Sequence, residues 1–506
     1  MTVFIATWTF GKKSKDMKTQ LLSLIAFAFI FQSIGQPKLV DINTRTYKTT
    51  KKIEVQGQEG FIEVPENRND SNSRKIKVKY VWLKSLAENP EAPLLYIEGG
   101  GGLCTWIAED PEELTYWLDL LAVSDVIFID RRGEGDESLV YVWEQTFPED
   151  FFISEEAANN HYRQMILASL KAFEERKVDV RGYNIEEEAR DANDLMTLLG
   201  FDQYAIFGFS FGSHIGMTIM KLFPDRIARS VLSGSDAPNQ AFNYPKYLDE
   251  HVDLLSTMMK ADQELSKKVP DFKSLVYRVM RKLEENPAIV TVKNPVTGKD
   301  MDLKIGPFGL GLILRLDIDD YNDIPVLPRL FYSIDQGDYS VLTWFAQRRV
   351  VFALAVPGSG VNQYLASGVS DVRWSQIEKE ANESIFGNVV NLMMSVAKDL
   401  WMKNDLSFDP SLPLESDIPT LFVTGTLDCR TPVGQVEETM KRFTNATHIK
   451  VENAGHEQAH WDAEVFDGHI PLFLKGQEVS RQDAYYGDVE FIPVTGKAKG
   501  HPSLKK

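Results

Sequence analysis

The chain has 506 residues, 43% of them hydrophobic and 11% aromatic, which is ample apolar material for a large buried core. Seventy-three acidic residues against 55 basic ones leave a formal net charge of −18, a surface that repels phosphate backbones and argues against nucleic acid as a partner. Two cysteines, Cys104 and Cys429, are too few for a disulfide framework in so long a chain and are read as unpaired, partly buried thiols.

In chain order, Met17, Lys18 and Thr19 precede an apolar run from Leu21 to Phe31, and Ser33-Ile34-Gly35 follows with small residues. A basic start, an apolar stretch and a small-residue exit make residues 17–35 a secretory signal, so export to the periplasm or beyond is expected. The run is short of the ~20 apolar residues of a membrane span, and no stable membrane insertion of the mature chain is expected. Residues 37–50 read as an irregular lead-in. From Lys51 to Ser85, β-branched stretches around Pro65-Glu66-Asn67-Arg68-Asn69-Asp70-Ser71 predict antiparallel strands joined by a polar loop. Pro93-Leu94-Leu95-Tyr96-Ile97 predicts a buried strand running into Glu98 and four glycines, Gly99 to Gly102. Asp125 to Asp130 repeats the pattern and ends in Arg131-Arg132-Gly133-Glu134-Gly135.

Apolar residues at helical spacing predict a helix over 185–199, with Gly200 as its stop. Tyr204-Ala205-Ile206-Phe207 is the next strand, followed by Gly208-Phe209-Ser210-Phe211-Gly212, a helix over 213–222 and the strand Val231-Leu232-Ser233. Strands alternating with helices mean crossover connections and a mostly parallel sheet. Residues 237–404 are mainly helical, and strand units resume only at Thr420–Val423 and Ile449–Val451. The reading is therefore a core in two parts, 37–236 and 405–480, with a helical cap over 237–404 between them. A peripheral tail over 481–506 carries Lys497, Lys499, Lys505 and Lys506.

Gly208-x-Ser210-x-Gly212 between a strand and a helix fits a nucleophile elbow, where side chains on either side of the serine would clash. A serine needs a base, and the base an orienting acid. Beyond the helical block, one strand ends in Asp428 and the next in His456, in the order Ser, Asp, His. Ser210, Asp428 and His456 are the expected catalytic triad, with His214 a structural residue one helical turn beyond the serine. The N–H groups of Phe211, Gly100 and Gly101 are the expected oxyanion donors. A rival motif is His456-Glu457-Gln458-Ala459-His460, which matches the zinc pattern H-E-x-x-H literally. Asn453 and Gly455 argue for a loop there, whereas zinc needs both histidines on one helix and a third ligand.

These residues resemble the α/β-hydrolase peptidases related to proline iminopeptidase, and more closely their tripeptidyl-aminopeptidase-like branch. The resemblance is carried by Val64-Pro65-Glu66-Asn67-Arg68, the glycine loop, Asp130 to Gly135, Ala189-Arg190-Asp191, the elbow, and Gly425-x-x-Asp428-x-x-Thr431-Pro432. It spans roughly residues 53 to 475, least clearly in the helical block. The family's oxyanion loop is usually His-Gly-Gly-Pro-Gly, whereas Glu98-Gly99-Gly100-Gly101-Gly102 stands here. The resemblance implies an α/β-hydrolase fold with an inserted cap, and a serine aminopeptidase acting on a peptide substrate without metal or organic cofactor. It also implies carboxylates that bind the substrate's α-ammonium. The acids of the block include Asp317, Asp319, Asp320, Asp371 and Glu378, Asp371 is the choice among them, and Glu98 is a second candidate. A carboxylesterase or lipase-like hydrolase is the alternative on the same fold, and a zinc metallopeptidase the remote one.

Overall fold

The computed structural model describes residues 36–135, 138–479, 483–497 and 499–504. The secretory signal expected over 17–35 lies outside these residues. A sheet of ten strands runs through the core: β1 (Lys38–Lys48), β2 (Glu54–Pro65), β3 (Lys75–Leu83), β4 (Glu91–Ile97), β5 (Ser124–Ile129), β6 (Tyr204–Phe209), β7 (Ile227–Ser233), β8 (Thr420–Gly425), β9 (Ala446–Glu452) and β10 (Ala484–Tyr485). Their spatial order is β1-β2-β3-β5-β4-β6-β7-β8-β9-β10. The first three pair antiparallel, β3 joins β5 antiparallel, and every pairing from β5 onward is parallel.

Because successive side chains of a strand point to opposite faces, the parallel strands feed two separate cores. Leu95, Ile97, Ile206 and Leu232 pack on one face, and Leu94, Tyr96, Phe207 and Val231 on the other. The helix α1 (Glu155–Glu175) precedes α2 (Ile185–Leu198). Asn184 caps α2 by accepting from Glu187 N–H, and Glu186, Glu187 and Glu188 fill its first turn, where carboxylates suit the helix dipole. The helix stops at Gly200, whose φ of 87° suits a left-handed exit.

Two elements differ from expectation. Residues 38–48 form β1 rather than an irregular lead-in, held in register against β2. The tail is packed as well as basic: Ala484 and Tyr485 add the tenth strand, Ile492 and Val494 are buried, and His501 Nε2 lies 2.8 Å from Asp323 Oδ1.

Between β7 and β8 the chain forms the helices α4 (Lys246–Ala261), α5 (Phe272–Glu285), α6 (Pro307–Leu314), α7 (Leu327–Gln336), α8 (Ser340–Arg349), α9 (Gly358–Ala366), α10 (Asp371–Ala381) and α11 (Leu392–Lys398). An antiparallel ribbon, Ala288–Lys293 with Asp300–Ile305, interrupts this helical block. The alternating burial of its first strand is the pattern a helical reading passes over. A second short pairing, Val140–Val142 with Ala355–Pro357, fastens the inserted block to the first part of the core.

Candidate active site

Ser210 sits between β6 and the helix α3 (Phe211–Leu222) with φ 51° and ψ −125°. A β-carbon on Gly212 would lie 2.1 Å from the Ile97 carbonyl oxygen, and one on Gly208 2.6 Å from that of Gly212. The turn is therefore open only to glycine at both places, and it lifts the serine side chain out of the sheet at a left-handed backbone angle that costs about 1–3 kcal/mol.

His456 Nε2 lies 2.9 Å from Ser210 Oγ, and its Nδ1 lies 2.8 Å from Asp428 Oδ2. Asp428 is fully ringed by donors. Thr431 Oγ1 donates to Oδ2 at 2.6 Å, and the N–H groups of Arg430 and Thr431 donate to Oδ1 at 2.9 and 2.8 Å. Burial works against the carboxylate, but His456 and these donors outweigh it and hold the pKa down at about 2. The arrangement can draw a proton from Ser210 onto an imidazole whose far nitrogen rests on a fixed negative charge.

The glycine loop lies against the serine, since a β-carbon on Gly99 would stand 2.7 Å from that of Ser210. Glu98 pins it from one side, accepting from Gly99 N–H at 2.7 Å and from the Tyr96 hydroxyl at 3.0 Å. Arg131 pins it from the other, donating to the Gly99 carbonyl and to Gln363 of α9. The Arg131 guanidinium also lies 5.0 Å over the ring of Phe211, and its Nε is 3.3 Å from Glu188. Gly102 N–H donates to the Gly99 carbonyl. The N–H groups of Gly100 and Gly101 have no partner among the described residues, and Phe211 opens α3 with a helix's free first donors.

A cavity of about 410 Å³ opens onto Ser210 and His456. Its wall is mostly apolar, with Phe242, Val351, Phe352, Met393 and Met394 among its members. Asp236, just beyond β7, is the wall's acid among the described residues, and its Oδ1 is buried without a partner. Burial pushes its pKa up to about 7, opposed by Arg373 and His456. Arg315 and Arg430 are the cationic members of the wall.

Two families match the sequence: one described as alpha/beta hydrolase fold over residues 92–305, and one described as TAP-like protein over residues 389–485. The chain has the α/β-hydrolase fold, with a TAP-like match in its later part. No curated protein sequence matches it. Similar solved structures include the alpha/beta hydrolase MGS-M2 from a Medee basin deep-sea metagenome library, 13% identical over 79% of this chain and 95% of that one, with a TM-score of 0.34. An esterase from Thermogutta terrifontis is 14% identical over 86% and 98%, at 0.33. A bromoperoxidase from Bacillus anthracis is 13% identical over 86% and 100%, at 0.35.

The structure brings Ser210, Asp428 and His456 together, Phe211 follows the serine directly, and the glycine loop that carries Gly100 and Gly101 lies against the serine through Gly99. The two substrate-binding candidates fall elsewhere. Asp371 stands exposed in the first turn of α10, and Glu98 is spent on Tyr96 and Gly99; neither lines the cavity. The other acids considered there are engaged: Asp317 with Arg348 and Arg349, Asp319 with Arg430, Asp320 with the Asn322 N–H, and Glu378 with Trp374. His214 is buried against Phe211 and kept neutral, its pKa lowered to about 4 by burial. In the zinc-like motif, His456 spends both ring nitrogens on Ser210 and Asp428, while His460 Nδ1 faces Ser233 at 3.2 Å, in a stretch of turns rather than a helix. Sequence reasoning missed Asp236 and Arg315. For Asp236 a signal existed, because in parallel sheets ligand sites gather just beyond the carboxyl ends of the strands.

Proposed function

We propose that this hydrolase is an exported serine aminopeptidase that releases short units from peptide N-termini. The observation that carries the reading is the continuous contact from Ser210 through His456 to Asp428, beside free N–H groups of the glycine loop. Ser210 Oγ attacks the scissile carbonyl as its proton passes to His456 Nε2, and the imidazolium rests on the ionised Asp428. The oxygen of the tetrahedral intermediate turns toward the N–H groups of Phe211 and of Gly100 or Gly101, which are already in place before charge develops. His456 then protonates the leaving amine, the acyl group stays on Ser210, and a water activated by the same histidine releases it. Asp236, the buried acid of the wall, is the group suited to the substrate's α-ammonium, whose arrival would draw its carboxyl back to the charged form.

The test is one chromogenic peptide amide, offered with its N-terminus free and then acetylated. Cleavage of the free form alone, lost in Ser210→Ala, is the expected result. The apolar wall favours a second reading, a carboxylesterase, and brisk ester turnover with neither amide cleaved would establish it instead. Export is tested separately, by whether protein recovered outside the cytoplasm starts close to Gln36.

A further inference from the structure

The cavity wall holds two guanidinium groups with different surroundings. Arg430 is neutralised: its Nη2 lies 3.1 Å from Asp319 Oδ1, and its Nε donates to Oδ2 at 3.1 Å. Arg315, which follows α6, has no ion-pair partner among the described residues. Its Nη1 donates to the Val389 carbonyl at 3.0 Å, its guanidinium lies 4.5 Å over the ring of Phe352, and its Nε is buried without a hydrogen-bond partner. The groups that act on it electrostatically are the hydroxyls of Tyr162 and Tyr364 and a second cation, Arg349, which Asp317 already neutralises. Its neighbours on the wall include Leu316, Val351 and Phe352.

A guanidinium taken out of water without a counter-charge is held at a net loss of stability. Arg348, Arg349 and Arg430 of the same region all have their carboxylates, so of the two guanidinium groups on the cavity wall it is Arg315 that has no ion-pair partner among the described residues. A molecule entering this cavity with an anionic end would supply that partner and gain a charge-assisted contact inside apolar walls. We infer that Arg315 is a carboxylate-binding residue of the cavity, so that the substrate presents a carboxylate to it. This deepens the reading above and rests on it only in taking the cavity beside Ser210 as the substrate site. With Asp236 unpaired in the same wall, the cavity is built for a molecule carrying both an amine and a carboxylate, as a short free peptide does.

The experiment measures binding of hexanoate and of hexanamide to the full chain by calorimetry, in wild type, Arg315→Lys and Arg315→Gln. Hexanoate is expected to bind the wild type about tenfold or more tightly than its neutral isostere, the scale of one charge-assisted contact. Arg315→Lys should keep part of that preference and Arg315→Gln should lose it, while hexanamide binds both variants as before and so reports that they are folded. Equal binding of the two ligands to wild type, no binding of hexanoate, or an undiminished preference in folded Arg315→Gln would overturn the assignment. Ser210→Ala separates the two ideas: it should abolish turnover and leave the hexanoate preference intact. For peptides, amidating the C-terminus and replacing a Glu side chain with Gln in separate substrates tells which carboxylate Arg315 takes.

Discussion

Arg131 is the joint between the glycine loop, α2 and the inserted block, and replacing it with Met tests that role. Its side chain is 6% exposed and that of Glu188 is 4%, so the pair is effectively out of water. In the native protein Glu188 has its pKa raised from 4.5 to about 7 by burial, held back by Arg131 and Arg132 and pushed further by Asp191 and Glu134. A carboxyl raised in the folded state favours folding while protonated, and that advantage, roughly 3 kcal/mol across the shift, is lost as pH rises from the unfolded value through about 7. Without Arg131 the folded pKa rises further, so the variant goes on losing stability above pH 7 where the wild type levels off. Near pH 5 Glu188 is neutral in both proteins, and Arg131→Met forfeits its hydrogen bonds to Gly99 and Gln363 and its contact over Phe211, about 1–2 kcal/mol. Near pH 8 the wild type holds Glu188 ionised beside Arg131 and the variant does not, and with the wild-type pKa near 7 the shift adds at most about 1.4 kcal/mol, for a total of about 2–3 kcal/mol. Urea unfolding of both proteins at the two pH values reads the difference, from which titrations common to both, such as that of Asp236, cancel. A gap that is the same at pH 5 and pH 8 would refute the reasoning.

Asp428→Asn should lower kcat about 10³- to 10⁴-fold with little change in KM, because the imidazolium loses its fixed counter-charge; steady-state kinetics showing less than a tenfold loss would count against the relay. Gly212→Ala should fail to accumulate as folded protein, its β-carbon meeting the Ile97 carbonyl at 2.1 Å, whereas Gly100→Ala meets nothing within 4 Å and should stay within about threefold of wild-type kcat/KM. Solubility and turnover of the two together distinguish a crowded elbow from a merely glycine-rich one. Dialysis against a chelator should leave turnover unchanged, and His460→Asn should reduce stability far more than kcat, since His460 packs on Phe209 and faces Ser233; loss of activity in both would favour the zinc reading.

Much of the site is visible in the chain because its parts are local. A strand that enters a glycine-bounded serine, and two later strands that end in an acid and a histidine, are patterns of adjacent residues. They bring Ser210, Asp428 and His456 together as soon as parallel strands align their carboxyl ends. The same locality explains the misses. Residues 37–50 lack a strong alternating pattern, and β1 exists because β2 offers it an edge to pair with.

Charge is where tertiary structure alone decides. Nothing in the sequence distinguishes Asp317 and Asp319, which meet Arg349 and Arg430 across 32 and 111 residues, from Asp236, whose Oδ1 is buried without a hydrogen-bond partner among the described residues. Nor does it distinguish Arg315, without a carboxylate among the described residues, from its neutralised neighbours Arg348 and Arg349. Which charges are paired and which face a cavity depends on contacts between distant segments and on how much water each group loses. Composition and spacing carry neither.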